Sequence, residues 1–124
     1  MLPFNENILR MTKENADFRR EVLTTGHNQV VLMSVAPNED VGEETHWGAD
    51  QLVVCVDGMG AVVTGGEMTP LQRNALVAIP SGTTHDLVNI GREPLKLCMI
   101  YTPPVLPAGT VHHTRAEALE AVPA

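Results

Sequence analysis

The sequence has little positive charge, little cysteine and no long apolar run, and each absence removes a class of function. Eight Lys and Arg residues stand against fifteen Asp and Glu residues, which gives a formal net charge of −7 over 124 residues. Such a chain lacks the basic patch that binds nucleic acid or an anionic membrane surface. No helix-turn-helix pattern is present either. We therefore expect neither nucleic acid nor a membrane as a partner.

The scarcity of apolar stretches also bears on where the protein works. Residues 1–21 contain neither an uninterrupted apolar segment nor a small-residue cleavage signal, and no later run reaches the length of a membrane span. We expect no leader and a cytoplasmic location. The two cysteines, Cys55 and Cys98, lie inside apolar segments without CxxC spacing. Buried free thiols are the interpretation we favour, with a cross-strand disulfide as the alternative.

Strand patterns fill the middle of the chain. Short segments rich in Val, Leu and Ile alternate with Gly, Pro, Asn or Asp, which is typical of an all-β sandwich or barrel. Residues 57–60, 64–67 and 90–94 are predicted to form hairpin connections. The predicted strands cover residues 18–26, 29–37, 51–58, 60–66, 74–80, 85–91 and 95–101.

Helix is predicted only near the C-terminus, and one side of several strands needs a cover. Thr114 and Glu117 have capping-box spacing, which indicates a short helix over 113–122 after a proline-rich extended segment at 101–110. Segments such as 51–56 are apolar at successive positions, so both of their faces must be buried. The second cover can be another sheet, a terminal segment or a second subunit, and we expect a homodimer.

Two strand ends carry polar residues that can meet. Residues at i and i+2 of a strand share a face, so Glu44 and His46 project together, and Gln51 joins them if the chain bends after Trp47. His85 opens a later strand behind a Pro-x-Gly turn. Four polar side chains are therefore predicted at the mouth of an apolar barrel.

The two stretches resemble the paired motifs of the cupin family. "ETHWGADQLVVCVDG" (44–58) is similar to the first motif, and "PSGTTHDLVN" (80–89) matches the second, Pro-x-Gly-x-x-His-x-x-x-Asn. The resemblance spans roughly residues 18–104. It implies one cupin domain over 1–124, a double-stranded β-helix (jelly-roll) barrel with a short C-terminal helix, flanked by an N-terminal arm, 1–17, and a C-terminal extension, 105–124.

The resemblance also implies a metal site, although the first motif departs from the family pattern. Glu44 stands where a histidine is usual and Gln51 where a glutamate is usual, while His46 and His85 match. Two imidazoles and one carboxylate suit iron or manganese, and zinc, nickel or cobalt also accept them. Gln51 either binds the metal directly or forms a hydrogen bond with the substrate or with a side chain that binds the metal. Asn38 and Asn74 replace glycines in turns.

Nearby polar residues have simpler interpretations. We expect His112 and His113 to pack at the terminus or face solvent, and His27 to occupy a turn. Asn89 is predicted to hydrogen-bond within a turn or to a ligand side chain. Trp47, the only tryptophan, either shapes the entrance or packs against another subunit.

Two functions follow from the resemblance and the residues. In the first, a metal-dependent enzyme acts on a small organic molecule by dioxygenase, isomerase or lyase chemistry. In the second, the chain is a non-catalytic module that binds a sugar or another small molecule, with a structural or absent metal. Asp50 and Asp86 have the wrong strand parity to face the interior, so no separate general base is predicted.

Overall fold

The apolar segments of the sequence become strands, and their alternation decides which side chains face inward. The structure, a computed structural model, describes residues 4–121, which contain nine strands and two helices. The elements in chain order are α1 (Ile8–Glu14), β1 (Arg19–Thr24), β2 (Gln29–Val35), β3 (Asp50–Asp57), β4 (Gly60–Thr64), β5 (Glu67–Leu71), β6 (Leu76–Ile79), β7 (Asp86–Asn89), β8 (Leu95–Thr102), β9 (Val111–His112) and α2 (Arg115–Glu120).

Two antiparallel sheets form the barrel. The larger has the strand order β6-β3-β8-β2-β1-β9, and the smaller has the order β5-β4-β7. Their inner faces share one apolar core, to which Val53 and Met99 come from the larger sheet and Val62 and Leu87 from the smaller. This is the predicted double-sheet jelly roll, and the all-β fold class is confirmed.

Strand parity positions the interior residues as expected. On β3, Gln51, Val53 and Cys55 are all buried and alternate with more exposed neighbours. His85, Leu87 and Asn89 are buried in the same way. Side chains two residues apart on a strand share a face. Once one residue at a strand end is known to face inward, the alternate residues along the strand are known to face inward as well. Cys55 and Cys98 are buried free thiols, as predicted.

An N-terminal helix covers the outer face of the larger sheet, and the sequence interpretation missed it. Ile8 and Met11 of α1 pack on a second apolar cluster formed by Leu32, Val56 and Cys98. Asn7 caps the helix by accepting a hydrogen bond from the N–H of Arg10 at 3.1 Å. On the outer face of the larger sheet, a terminal segment therefore covers the strands that are apolar on both faces. A helix this short is stabilised mainly by packing on the sheet, so the apolar periodicity of its sequence predicts it poorly.

Several strand connections differ from the prediction. Residues 64–67 form the expected hairpin, since Thr64 pairs with Glu67 across β4 and β5. Residues 57–60 and 90–94 instead carry the chain from one sheet to the other. Strand β5 was not predicted because four of its five residues, Pro70 among them, are exposed and show no apolar alternation. The two-residue strand β9 is too short for a periodic signal.

The C-terminal helix is confirmed, with narrower bounds. The N–H of Glu117 donates to the Thr114 hydroxyl at 3.1 Å, which is the side-chain cap that the sequence predicted. The predicted last residue, Val122, lies outside the described residues. Before the helix, the buried Gln29 side chain binds the proline-rich segment by accepting from the N–H of Leu106 at 3.0 Å and donating to its carbonyl at 2.7 Å.

The two asparagines that stand in place of motif glycines keep the glycine conformation. Asn38 has φ 67° and Asn74 has φ 72°, both in the left-handed region, which asparagine tolerates better than most residues. The substitutions therefore preserve the turns. None of the helices within residues 4–121 has the length and apolar character needed to cross a membrane.

Candidate functional site

Backbone pairing brings the two motifs together. The N–H of Glu44 donates to the carbonyl of His85 at 2.8 Å, and the N–H of His85 donates back to the carbonyl of Glu44 at 3.0 Å. The N–H of Gly82 donates to the carbonyl of His46 at 2.9 Å. The segment that carries Glu44 and His46 thus lies beside the turn that precedes His85. Residues about forty positions apart in sequence become neighbours.

The predicted site residues cluster at one end of the barrel interior. The ring centroids of His46 and His85 are 5.8 Å apart. The Glu44 Oε2 atom lies 3.8 Å from His46 Nε2, which is too long for a hydrogen bond. Gln51 joins through Tyr101, since its Nε2 donates to the phenol oxygen at 3.2 Å while the His46 ring lies 5.1 Å from the Tyr101 ring.

Buried atoms of this cluster have open hydrogen-bonding capacity. Within residues 4–121, four buried side-chain nitrogen or oxygen atoms have no hydrogen-bond partner. Three of them belong to predicted site residues: His46 Nε2, Gln51 Oε1 and His85 Nε2. Leaving such atoms unpaired costs free energy, so a group of them at one place indicates a site for a ligand.

The tautomer of His85 follows from its hydrogen bond. Its Nδ1 lies 2.9 Å from the carbonyl oxygen of Thr83, and a carbonyl only accepts. Nδ1 of the neutral ring therefore carries the hydrogen, and Nε2 presents a lone pair. This is how proteins orient histidines that bind metals. His85, with a relative exposure of 1%, offers that lone pair to the interior.

Burial keeps the neighbouring groups uncharged. It lowers the pKa of His46, an effect that Glu44 opposes, so the imidazole is neutral at neutral pH. Burial also raises the pKa of Tyr101 well above its usual range, with Glu44 adding to the effect. Tyr101 therefore keeps its proton and can donate or accept a hydrogen bond. A neutral imidazole is the form that binds a metal.

The donor set fits a metal only in part. No three His, Cys, Asp or Glu side chains in the described part of the chain are grouped closely enough to hold a metal ion. The inward donors are two imidazole nitrogens and one amide oxygen, while Glu44 is at the rim with 29% of its side chain exposed. Such a set lacks a buried anionic ligand and would bind a metal weakly.

Tyr101 and Met99 are site residues that sequence reasoning missed. Both hydrogen-bond the Gln51 amide nitrogen, at 3.2 Å and 3.3 Å respectively. The signal was available, because Leu97, Met99 and Tyr101 occupy alternate positions of one apolar strand and therefore share a face. Their order along β8 follows from the strand, but only the pairing of β8 with β3 places them beside Gln51.

The remaining polar residues do not join the cluster. Asn89 donates to the carbonyls of Val35 at 2.9 Å and Glu93 at 2.8 Å, which confirms its structural role in a turn. His113 hydrogen-bonds Asp17 at 2.7 Å on the surface. Trp47 is 81% exposed and lies against Gly82 beside the entrance.

The fold and this polar cluster place the protein among the jelly-roll barrels that carry histidines in the barrel interior. The family model for the Cupin domain matches residues 31–101, which is more than half of the chain. The chain belongs to the cupin family.

Two relatives and one solved structure illustrate the similarity. The chain is 44% identical over 125 residues to the uncharacterized protein YrkC of Bacillus subtilis (strain 168), covering 96% of this chain and 67% of YrkC. It is 33% identical over 116 residues to the uncharacterized protein L612 of Acanthamoeba polyphaga mimivirus, covering 90% and 72%. The crystal structure of BH2720 from Bacillus halodurans superposes with a TM-score of 0.94 at 41% identity, covering 97% and 96%.

Proposed function

We propose that the chain binds a divalent transition metal through Glu44, His46, Gln51 and His85 and acts on a small organic molecule by metal-centred chemistry. One observation carries the proposal: three of these four residues each present a buried atom that no protein group satisfies. A metal ion with a bound substrate would satisfy those atoms. Dioxygenase, isomerase and lyase reactions are the classes that suit such a site.

The ligand types favour iron or manganese, and zinc, nickel and cobalt are compatible. A bound metal would act as a Lewis acid or, as iron(II), support oxygen chemistry. Gln51 supplies a neutral amide oxygen in place of an anionic carboxylate. The lost negative charge weakens metal binding and leaves more positive charge for an anionic or polar substrate group.

The protein groups have roles that follow from their charge states. The Nε2 atoms of His46 and His85 are both buried without a protein partner, and the Thr83 carbonyl holds the His85 ring in place. The phenol of Tyr101 keeps its proton and can orient a polar substrate group. Asp50 is exposed, so it does not enter the interior as a general base.

A non-catalytic binding module is the second candidate, and two observations favour it. Within residues 4–121 no three acidic, histidine or cysteine side chains form a metal-sized group. In addition, the Gln51 amide nitrogen is already engaged by Tyr101 and Met99. In that case the open atoms would bind the polar groups of an organic ligand directly.

Elemental analysis of protein purified without an affinity tag tests the proposal. We expect a measurable content of iron or manganese in the wild type, up to one atom per chain, and at least a tenfold loss in His46→Ala and His85→Ala. His27→Ala is the matched control, because His27 is exposed in a hairpin turn and its removal should change nothing. A metal-free, well-folded wild type would refute metal binding and leave the binding module as the better account.

Thermal denaturation then distinguishes a metal used for chemistry from one that supports the fold. If Glu44→Ala and His85→Ala lose the metal while their melting temperatures barely change, the site serves chemistry or ligand binding. A large drop that follows metal loss indicates a structural ion, since a ligand that binds only the folded state stabilises it.

We also propose a homodimer with one small-molecule site in each subunit. The apolar side chains that support it are Met59 and Ile90, 56% and 47% exposed and joined by a backbone hydrogen bond of 3.0 Å, and Trp47, 81% exposed next to His46 in the chain. Sedimentation equilibrium tests this, with a monomer at micromolar concentration as the refuting result.

A further inference from the structure

A cavity of about 400 Å³ opens the barrel interior between β5 and β6. It exists because β5 and β6 are edge strands of different sheets, so no backbone hydrogen bonds close the barrel between them. Val62 and Leu71 of the smaller sheet and Val77 and Ile79 of the larger sheet line its walls. Its volume falls in the range of roughly 300–1,000 Å³ that is typical of small-molecule sites.

The lining is aliphatic and uncharged. Among the described residues around the cavity there is neither a charged nor an aromatic side chain, and the polar atoms come from threonines such as Thr69 and Thr83. A charged group buried here would have no partner, which is strongly unfavourable. A flat sugar or aromatic ring would find no ring to stack on. The chemistry of the walls therefore selects an uncharged hydrocarbon group.

The cavity adjoins the candidate site. Ile79 lines it and is the cross-strand partner of Gln51. Facing residues of an antiparallel pair lie on the same side of the sheet, so the two side chains adjoin in the interior. Thr83 also lines the cavity, and its carbonyl holds the Nδ1 of His85 at 2.9 Å. Gln51 and His85 therefore lie directly behind residues of the cavity wall.

Strand β5 is a poor edge for pairing with a second copy of the chain. Pro70 has no N–H to donate, and Glu67 begins the strand with a charge; both features discourage edge-to-edge pairing. The cavity also extends inward to side chains that are buried, such as Leu71 with 2% exposure. A small molecule fits such a space better than a neighbouring strand does.

We infer that this cavity binds the uncharged aliphatic part of the molecule on which the protein acts, while its polar end reaches Gln51 and His85. This rests on the proposed function for the position of the polar end, and it adds the class of substrate: a short hydrocarbon chain with one polar terminus. Sugar phosphates are disfavoured as occupants of the cavity because no charged side chain lines it, and a sugar would find only three threonine hydroxyls for its many polar groups.

Titration with 1-hexanol in the presence of EDTA, followed by two-dimensional 1H–15N NMR, tests the cavity without any metal. We expect saturable shifts centred on β5 and β6. Thr69→Trp should weaken binding at least tenfold, because the side chain at 69 lines the cavity and the indole would fill it. Met68→Trp is the matched control: Met68 is the neighbouring residue, 60% exposed, and is not part of the lining, so binding should change less than twofold.

Three results would overturn the inference. The first is the absence of saturable shifts, and the second is equal hexanol binding by the Thr69→Trp and Met68→Trp variants. The third is that the wild type is a dimer that does not bind hexanol and that the Thr69→Trp substitution converts to a monomer. The last result would assign the cavity to a second copy of the chain.

The metal analysis separates this inference from the proposed function. Hexanol binding by a protein that never contains metal supports the cavity and refutes metal chemistry. Stoichiometric metal without hexanol binding overturns the cavity and leaves the proposed function in place.

Discussion

Replacing Asp86 by Asn should stabilise the protein at neutral pH but not in acid. When protonated, the Asp86 carboxyl donates a hydrogen bond to the Asp40 carboxylate, and its Oδ1 atom accepts from the N–H of Gly42 at 3.0 Å. Partial burial and the neighbouring Asp40 raise the pKa of Asp86 from its ordinary 3.8 to about 6. The same hydrogen bond lowers the pKa of Asp40, which also pairs with Arg115 at 3.0 Å. At neutral pH, ionised Asp86 therefore faces another negative charge.

The size of the effect follows from linkage between protonation and folding. A group whose pKa is raised by folding favours the folded state below its unfolded pKa, and that contribution is lost as the pH rises through the folded pKa. About two pH units at 1.36 kcal/mol each set a ceiling of about 3 kcal/mol. Asp86 is partly exposed, and solvent screening reduces this to about 1 kcal/mol. Asparagine does not ionise and so avoids the loss.

Urea denaturation of both proteins from pH 4 to pH 8, with EDTA present, measures this difference. The gain in the free energy of unfolding of Asp86→Asn over wild type should be smallest at pH 4, grow through pH 6 and level off near pH 8 at about 1 kcal/mol. Glu67→Gln removes one charge from an exposed side chain that makes no side-chain hydrogen bond or ion pair within residues 4–121, and it corrects for the change in net charge. If the two proteins are equally stable, or if their difference is the same at pH 4 and pH 8, repulsion between Asp86 and Asp40 does not destabilise the folded state.

Two further predictions concern the barrel and its outer cover. Gly58→Ala should lose about 2–4 kcal/mol in urea denaturation, because the new Cβ would stand 2.7 Å from a backbone oxygen at φ +88°. Gly65→Ala, at φ +55° with open space around it, should lose only about 1 kcal/mol; equal losses would contradict the steric argument. Met11→Ala should loosen α1 and speed the reaction of Cys98 with a thiol reagent about tenfold. Cys55 lies in the other cluster, so an equal acceleration there would indicate global unfolding.

The fold was largely predictable because its signals are local. Alternating apolar residues and turn-forming residues mark each long strand, and the two motifs resemble one family. Strand β5 was not predictable, since Pro70 and its exposed neighbours carry no alternation. Helix α1 has only seven residues, and its stability comes from the sheet on which it packs. The same limit applies to connections 57–60 and 90–94, because local turn residues do not specify which sheet the next strand joins.

The site was predictable in its members but not in its arrangement. Spacing at i and i+2 and the second motif identified Glu44, His46, Gln51 and His85. The open lone pair of His85 depends on a hydrogen bond to Thr83, and the contacts of Gln51 depend on Tyr101, fifty residues away. Such contacts are set by strand register across the sheets, which single-sequence patterns do not contain.

Short segments and composition are enough to predict the strand-rich fold, the family resemblance, the acidic charge and the residue types at the barrel mouth. The three-dimensional arrangement was needed to show that two imidazoles and an amide leave buried atoms unsatisfied, that Glu44 lies at the rim and that an apolar cavity lies between β5 and β6. This is because unpaired atoms and empty space are defined by what surrounds them, and those surroundings come from distant parts of the chain.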